Sequence, residues 1–321
     1  LRVPDAATAD ALIRDKIGGA DWSKHSGETD SLLVNASTWA LMLTGRIYGG
    51  GEEGGRPEQQ VAGTLRRLVQ RLGEPVVRTA VGQAMKAMGQ QFVLGRTIGE
   101  ALKRGQPMRE KGYTYSYDML GEAARTDRDA RRYFRAYADA ISAISKDADA
   151  RAPAQANPGI SVKLSALHPR YEYVQRARVM AELVPRLSAL IEMARNANIG
   201  FNVDAEEADR LSLSLEVIEA ALDNADLKGW DGFGIVVQSY SKQSMAVLDW
   251  VAALARTHDR RIAVRLVKGA YWDMEVKNAQ VQGMPCYPTW SRKSSTDVYY
   301  VAWARKLFDH ADRLYPQFAT H

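Results

Sequence analysis

Apolar positions along this chain follow two different rhythms. From Gln60 to Leu72, Val61, Leu65, Leu68, Val69 and Leu72 fall at helical spacing and predict a helix. Gly73-Glu74-Pro75 breaks it, and "EPVVRTAVGQAMKAMGQQFV" predicts a second helix with Met85 and Met88 as core gap-fillers. From about residue 113 the rhythm changes. Short apolar runs appear at 160–167, 199–207, 232–240, 261–271 and 315–321. Amphipathic helices lie between them: one with Val179, Leu183, Leu187 and Leu190, with a kink expected at Pro185, one with Leu215, Ile218 and Leu222, and one with Val247, Trp250, Val251 and Leu254. Strands that are almost continuously apolar, alternating with helices, predict a parallel sheet covered on both faces.

The first 48 residues predict a helical arm. "SLLVNASTWALMLTG" is too apolar to stand alone and must pack on something else. "GGGEEGGRP" (49–57) predicts a flexible joint. Three segments follow: an arm at 1–48, a Gly-rich joint with a helical region at 49–112, and an α/β domain at 113–321.

Each predicted strand carries polar chemistry at its carboxyl end. Lys163 belongs to the first, Asp204 and Glu206 to the second, Gln238 to the third, Arg265 and Lys268 to the fourth, Thr320 and His321 to the fifth. A doubly wound sheet uses only a few strands at a switch point. A (βα)8 barrel opens every such end on one face, so the pattern favours an α/β fold of the TIM-barrel type. Singly, each residue has a plainer reading: Asp204 as a helix cap, Gln238 as a solvated terminus, Tyr271 and Trp272 as core aromatics, His168 beside Pro169 as a loop residue.

Composition narrows the chemistry. Of 321 residues, 46% are hydrophobic and 25% charged, ordinary for a globular chain. The formal net charge of +5 is mild and scattered, suited to an anionic ligand more than to nucleic acid. The single cysteine, Cys286, allows no internal disulfide and fits a reducing compartment. No apolar run reaches membrane-span length, so a cytoplasmic location is expected, with peripheral contact at the inner membrane face left open. Five scattered histidines argue against catalytic zinc. There is no P-loop and no G-x-G-x-x-G opening a helix. A flat, electron-poor cofactor with an anionic tail suits Lys, Gln, Arg, Tyr and Trp gathered at one mouth. Two alternatives remain at this point: a (βα)8 enzyme acting without flavin on an anionic or phosphorylated small molecule, and a basic surface module for nucleic acid or membrane.

Several blocks carry a resemblance. "SLLVNASTWALMLTGR", "SYDMLGEAA", "ISVKLSALHPRY", "NVDAEEADRL", "RLVKGAYWD", "TDVYYVAWARKL" and "YPQFATH" resemble, in collinear order, the proline dehydrogenase domain of bacterial bifunctional proline utilization A. The resemblance implies a (βα)8 barrel that binds FAD, oxidises L-proline to Δ1-pyrroline-5-carboxylate and passes electrons to quinone. It implies that Arg265 lies near flavin N5, that Lys268, Gly269 and Ala270 contact the cofactor, and that Trp272 lies towards its adenylate part. Asp204, Ala205, Gln238, Thr320 and His321 also match cofactor positions, and Arg292 and Lys293 are implied at the phosphates. Lys163 would lie by flavin and the proline carboxylate. Leu266 and Tyr271 would wall the proline ring, with Asp118 and Glu122 on the substrate side. Arg265, Lys163 and Asp204 are the implied catalytic set. The family continues with three more strands and a helix carrying an Arg pair for the substrate carboxylate, which these 321 residues do not include. The family's DNA-binding N-terminal module is expected to be missing, so no nucleic-acid contact is expected in this fragment. A pyrroline-5-carboxylate dehydrogenase domain is expected in a longer parent protein.

Overall fold

The computed structural model describes residues 5–17, parts of 78–92, and 93–320. The chain divides into two compact units, Leu1–Arg104 and Gly105–His321.

In the first unit, α1 (Ala6–Ile17) opens with the Asp5 carboxylate accepting the Thr8 N–H at 2.8 Å. The described residues between 78 and 92 are helical, as the spacing predicts. Met85 is 43% exposed, so the expectation that it fills a core gap does not hold, and Met88 lies outside the described residues. So do the predicted helix at 60–72, the Gly-rich joint and the apolar stretch upstream of it. The helix α2 spans Ile98–Arg109.

The second unit is built on six parallel strands: β1 (Ser116–Asp118), β2 (Gly159–Val162), β3 (Gly200–Val203), β4 (Phe233–Gln238), β5 (Ile262–Val267) and β6 (Leu314–Phe318). Each pairs with the next in chain order, β1-β2-β3-β4-β5-β6. A doubly wound sheet reverses its order at a switch point; this one does not, and it winds as a TIM-type barrel does. Five strands match the predicted runs. β1 is an addition: its three residues contain only one apolar side chain, too little for a hydrophobic run to register.

The crossover elements are α3 (Asp127–Ile144), the one-turn α4 (Leu164–Leu167), α5 (Arg176–Asn196), α6 (Leu211–Asn224), α7 (Ser244–Thr257), α8 (Trp272–Val281) and α9 (Lys293–Asp309). α3 starts at a capping box in which Thr126 and Asp129 each bond the other's backbone N–H. Pro185 lies inside α5, which is assigned as one helix of 21 residues. The register aligns Ser161, Asn202, Gly234 and Ala263 in one row across β2 to β5. That row is crowded: a Cβ on Gly234 would meet Asn202 Oδ1 at 2.4 Å. The alternate residues, from Ile160 and Phe201 to Phe233 and Leu266, are buried on the other face. Among the described residues, no helix is long and apolar enough to cross a membrane.

Candidate active site

The polar centre lies at the carboxyl ends of β1, β2, β3 and β5. Lys163 follows β2 directly. Its Nζ donates to both Asp118 oxygens at 3.0 Å and to Asp204 Oδ2 at 2.9 Å. Its backbone N–H donates to the phenol oxygen of Tyr137 on α3 at 3.3 Å. The two carboxylates differ: the Asp204 side chain is 15% exposed and that of Asp118 48%. Arg265 projects from β5, donating from Nη1 to Ser161 Oγ and from Nη2 to Ser116 Oγ, both at 2.9 Å, with Asp204 Oδ1 at 3.7 Å.

Burial works against the Lys163 charge, but Asp204 and Asp118 outweigh it and hold the ammonium above the ordinary lysine range. Burial pushes the Asp204 carboxyl above the usual carboxylate range, with Lys163 and Arg265 pulling the other way. Burial also raises Glu206, against the opposing hydrogen bonds from Ser165. Lys163 is therefore a fixed cation. It can hold an anion but cannot serve as a base near neutral pH.

Around this centre the loops are stapled together. The Gln238 amide donates to Glu206 O at 2.9 Å and accepts from Ala270 N at 3.3 Å, joining the loops after β3 and β5. Gly269 sits at φ +125°, and a Cβ there would meet the Tyr240 ring at 2.6 Å, so the β5 loop needs glycine. Lys268 and Lys293 each donate to Asp297, at 2.6 Å, and these bonds hold its carboxyl below the usual range. Trp272 Nε1 donates to Trp290 O at 2.8 Å. Trp290 stacks on Tyr299 with centroids 4.3 Å apart, and Tyr299 on Trp303.

With that geometry in hand, comparison with known proteins decides the family. Residues 101–321 match the family model described as proline dehydrogenase. The chain belongs to the proline dehydrogenase family. It is 50% identical over its whole length to the bifunctional protein PutA of Salmonella typhimurium, covering 24% of that protein, and 51% identical to that of Rhizobium meliloti, covering 25%. A crystal structure of a Bradyrhizobium japonicum proline utilization A variant superposes with TM-score 0.69 at 53% identity, covering all of this chain and 31% of that one. The chain spans about a quarter of the length of the curated PutA relatives it matches. Residues 1–92 match a second family model, the DNA-binding domain of proline dehydrogenase. This corrects the expectation that the DNA-binding module is missing, and with it the ground for expecting no nucleic-acid contact. The mild, scattered charge could not reveal a module that composition does not mark.

Of the residues expected at a proline dehydrogenase site, Asp118, Lys163, Asp204 and Arg265 meet directly, and Gln238, Ala270, Lys268 and Lys293 take part in the hydrogen bonds around them. Ala205 lines a cavity with Asp204, Glu206 and Gln238. Tyr271 is half-buried, and burial together with the Glu122 charge raises its phenol above the ordinary range. Glu122, Trp272, Arg292 and Thr320 are exposed, and His321 lies outside the described residues. Leu266 is not brought to the mouth. It is fully buried and follows Arg265 directly, so the two-residue period of the strand turns it to the opposite face. Sequence reasoning passed over Ser116, Ser161 and Tyr137. The signal for Ser161 was its place two residues before Lys163, which puts both on one face.

Proposed function

We propose that this chain forms the flavin-binding catalytic part of a protein that oxidises L-proline to Δ1-pyrroline-5-carboxylate, with FAD as cofactor and quinone as electron acceptor. The observation that supports it most is Lys163, held charged between a buried and an exposed carboxylate, beside a guanidinium that reaches across the strands.

The donor set suits a flavin: Arg265 and Lys163 beside an electron-poor ring, Lys268 and Lys293 for phosphates, Trp272 for an aromatic face. When bound, FAD supplies a two-electron acceptor for the hydride leaving proline C5. The chain's own residues do the rest. Lys163 offers its charge to the proline carboxylate, which competes with Asp118, the more exposed partner, while Asp204 keeps the ammonium in place. The amine lone pair stabilises the forming imine, so the site needs orientation and a fixed field more than a base. The pairing of Lys268 and Lys293 on one carboxylate keeps two cations together without full neutralisation.

The test is anaerobic addition of L-proline to the purified full-length protein. The yellow flavin absorbance should bleach with proline. A colourless protein that cannot be reconstituted with FAD, or one whose flavin ignores proline, rejects the proposal.

A further inference from the structure

Arg265 is held by two hydroxyls contributed by strands β1 and β2. Ser161 on β2 is 1% exposed, and its Oγ accepts from Arg265 Nη1. Ser116 on β1 accepts from Nη2, and the two serine oxygens lie 3.2 Å apart. A guanidinium only donates, so both oxygens act as acceptors towards it. One hydroxyl proton then serves the serine–serine contact. The result is a closed ring of Nη1, Ser161, Ser116 and Nη2 that fixes both the position and the plane of the guanidinium.

The chemistry of the acceptors matters. A carboxylate pair in these positions would cancel the guanidinium charge. Hydroxyls fix its geometry without adding to the negative charge that Asp204 already places 3.7 Å away, and they leave free the donors that the ring does not use. Burying Ser161 in the crowded row with Asn202 and Gly234 also limits its freedom to turn away.

We propose that Ser116 and Ser161 are positioning residues that set the pose of Arg265 and, through it, the affinity and reduction potential of the flavin. This rests on the proposed placement of Arg265 beside FAD. Neither serine touches substrate in this scheme; both act through Arg265.

The experiment uses the full-length flavoprotein with Ser116→Ala/Ser161→Ala, Arg265→Met, and all three changes combined. FAD dissociation constant and flavin midpoint potential are measured, neither of which depends on turnover. Loss of two hydrogen bonds to a charged group should weaken FAD binding about tenfold. The potential should become more negative, because a loosened cation stabilises reduced flavin less. Arg265→Met should move both quantities further, and the serine changes should add nothing in its background. If Arg265→Met alters both quantities while the serine pair alters neither, the serine role is overturned and the placement of Arg265 stands. If the serine changes have the same effect with and without Arg265, they act through general structure, and the proposal is again overturned. If Arg265→Met alters neither quantity, the placement of Arg265 fails, and this proposal with it.

Discussion

The two faces of strands β2 to β5 obey opposite rules. On one face stand Ile160, Val162, Phe201, Val203, Phe233, Ile235, Val237, Ile262, Val264 and Leu266, each no more than 3% exposed. On the other stand Ser161, Asn202, Gly234, Ala263 and Arg265, with Lys163 and Asp204 just past the strand ends. The first face stabilises the fold by removing apolar surface from water. The second gives up part of that stabilisation to hold charges, and keeps them paired because an unpaired buried charge is costly. One strand thus serves stability with its odd or even residues and chemistry with the rest. Neighbouring residues such as Arg265 and Leu266 belong to different systems.

The strongest way to break this comparison is to cross it. Leu266→Ala should lower folding stability by about 2–5 kcal/mol, the usual cost of a large-to-small change in a closed core. At temperatures where the protein stays folded, its flavin spectrum and potential should match wild type. Thermal unfolding followed with the flavin spectrum checks both. A Leu266→Ala protein of normal stability but altered proline affinity would restore Leu266 to the substrate wall.

On the polar face, Lys163→Met removes the cation and leaves Asp204 buried beside a thioether. Proline-dependent flavin reduction should fall about 30-fold or more, since truncating one partner of a buried charge pair typically costs about 2–5 kcal/mol. Stopped-flow reduction at saturating and limiting proline measures it. An unchanged rate at limiting proline would remove Lys163 from carboxylate recognition. Asp204→Ala acts on the same pair from the other side. FAD retention should weaken about tenfold, in the range of a charged hydrogen bond, while the melting temperature moves little. Fluorescence titration of released flavin and a melting curve separate the two effects. Collapse of the fold with normal flavin affinity in the remaining folded protein would make Asp204 a structural residue.

These contrasts also explain what the sequence made legible. Five strands stood out because large apolar residues recur through each run, and their polar ends pointed to one mouth. The same continuity hid the division between faces. The resemblance implied Leu266 at the substrate wall, although a period of two turns it away from the face that carries Arg265. Ser116 and Ser161 carry no charge and look ordinary in a strand, so only the contact with Arg265 gives them meaning. β1 is a three-residue strand with one apolar side chain, and pairing with β2, not hydrophobicity, defines it. The pairing of Lys163 with Asp118 joins residues 45 positions apart, which no local pattern encodes.

The smallest effect lies behind the site. His168 follows α4, the single turn that Lys163 begins, and its side chain is fully buried. It lies in a loop, as expected, and is buried there. Its Nδ1 accepts the Arg170 N–H at 3.1 Å, which requires a bare lone pair there and hence a neutral ring with its proton on Nε2. Burial lowers its pKa below the ordinary value; the Glu182 carboxylate, 3.3 Å from Nε2, opposes this, and Arg178 and Arg186 reinforce it. The unfolded chain therefore binds more protons than the folded one just below pH ~6.5, the unperturbed histidine value. Stability from this group is fully present above that pH and is lost as pH falls towards the folded value, at no more than about 1.4 kcal/mol per pH unit. His168→Asn keeps an acceptor for the Arg170 N–H and removes the titration. Melting curves between pH ~6.5 and ~5 should fall less steeply for this variant than for wild type. Parallel curves would mean that His168 does not change its proton occupancy on unfolding, and that the neutral, hydrogen-bonded ring behind Lys163 has been misassigned.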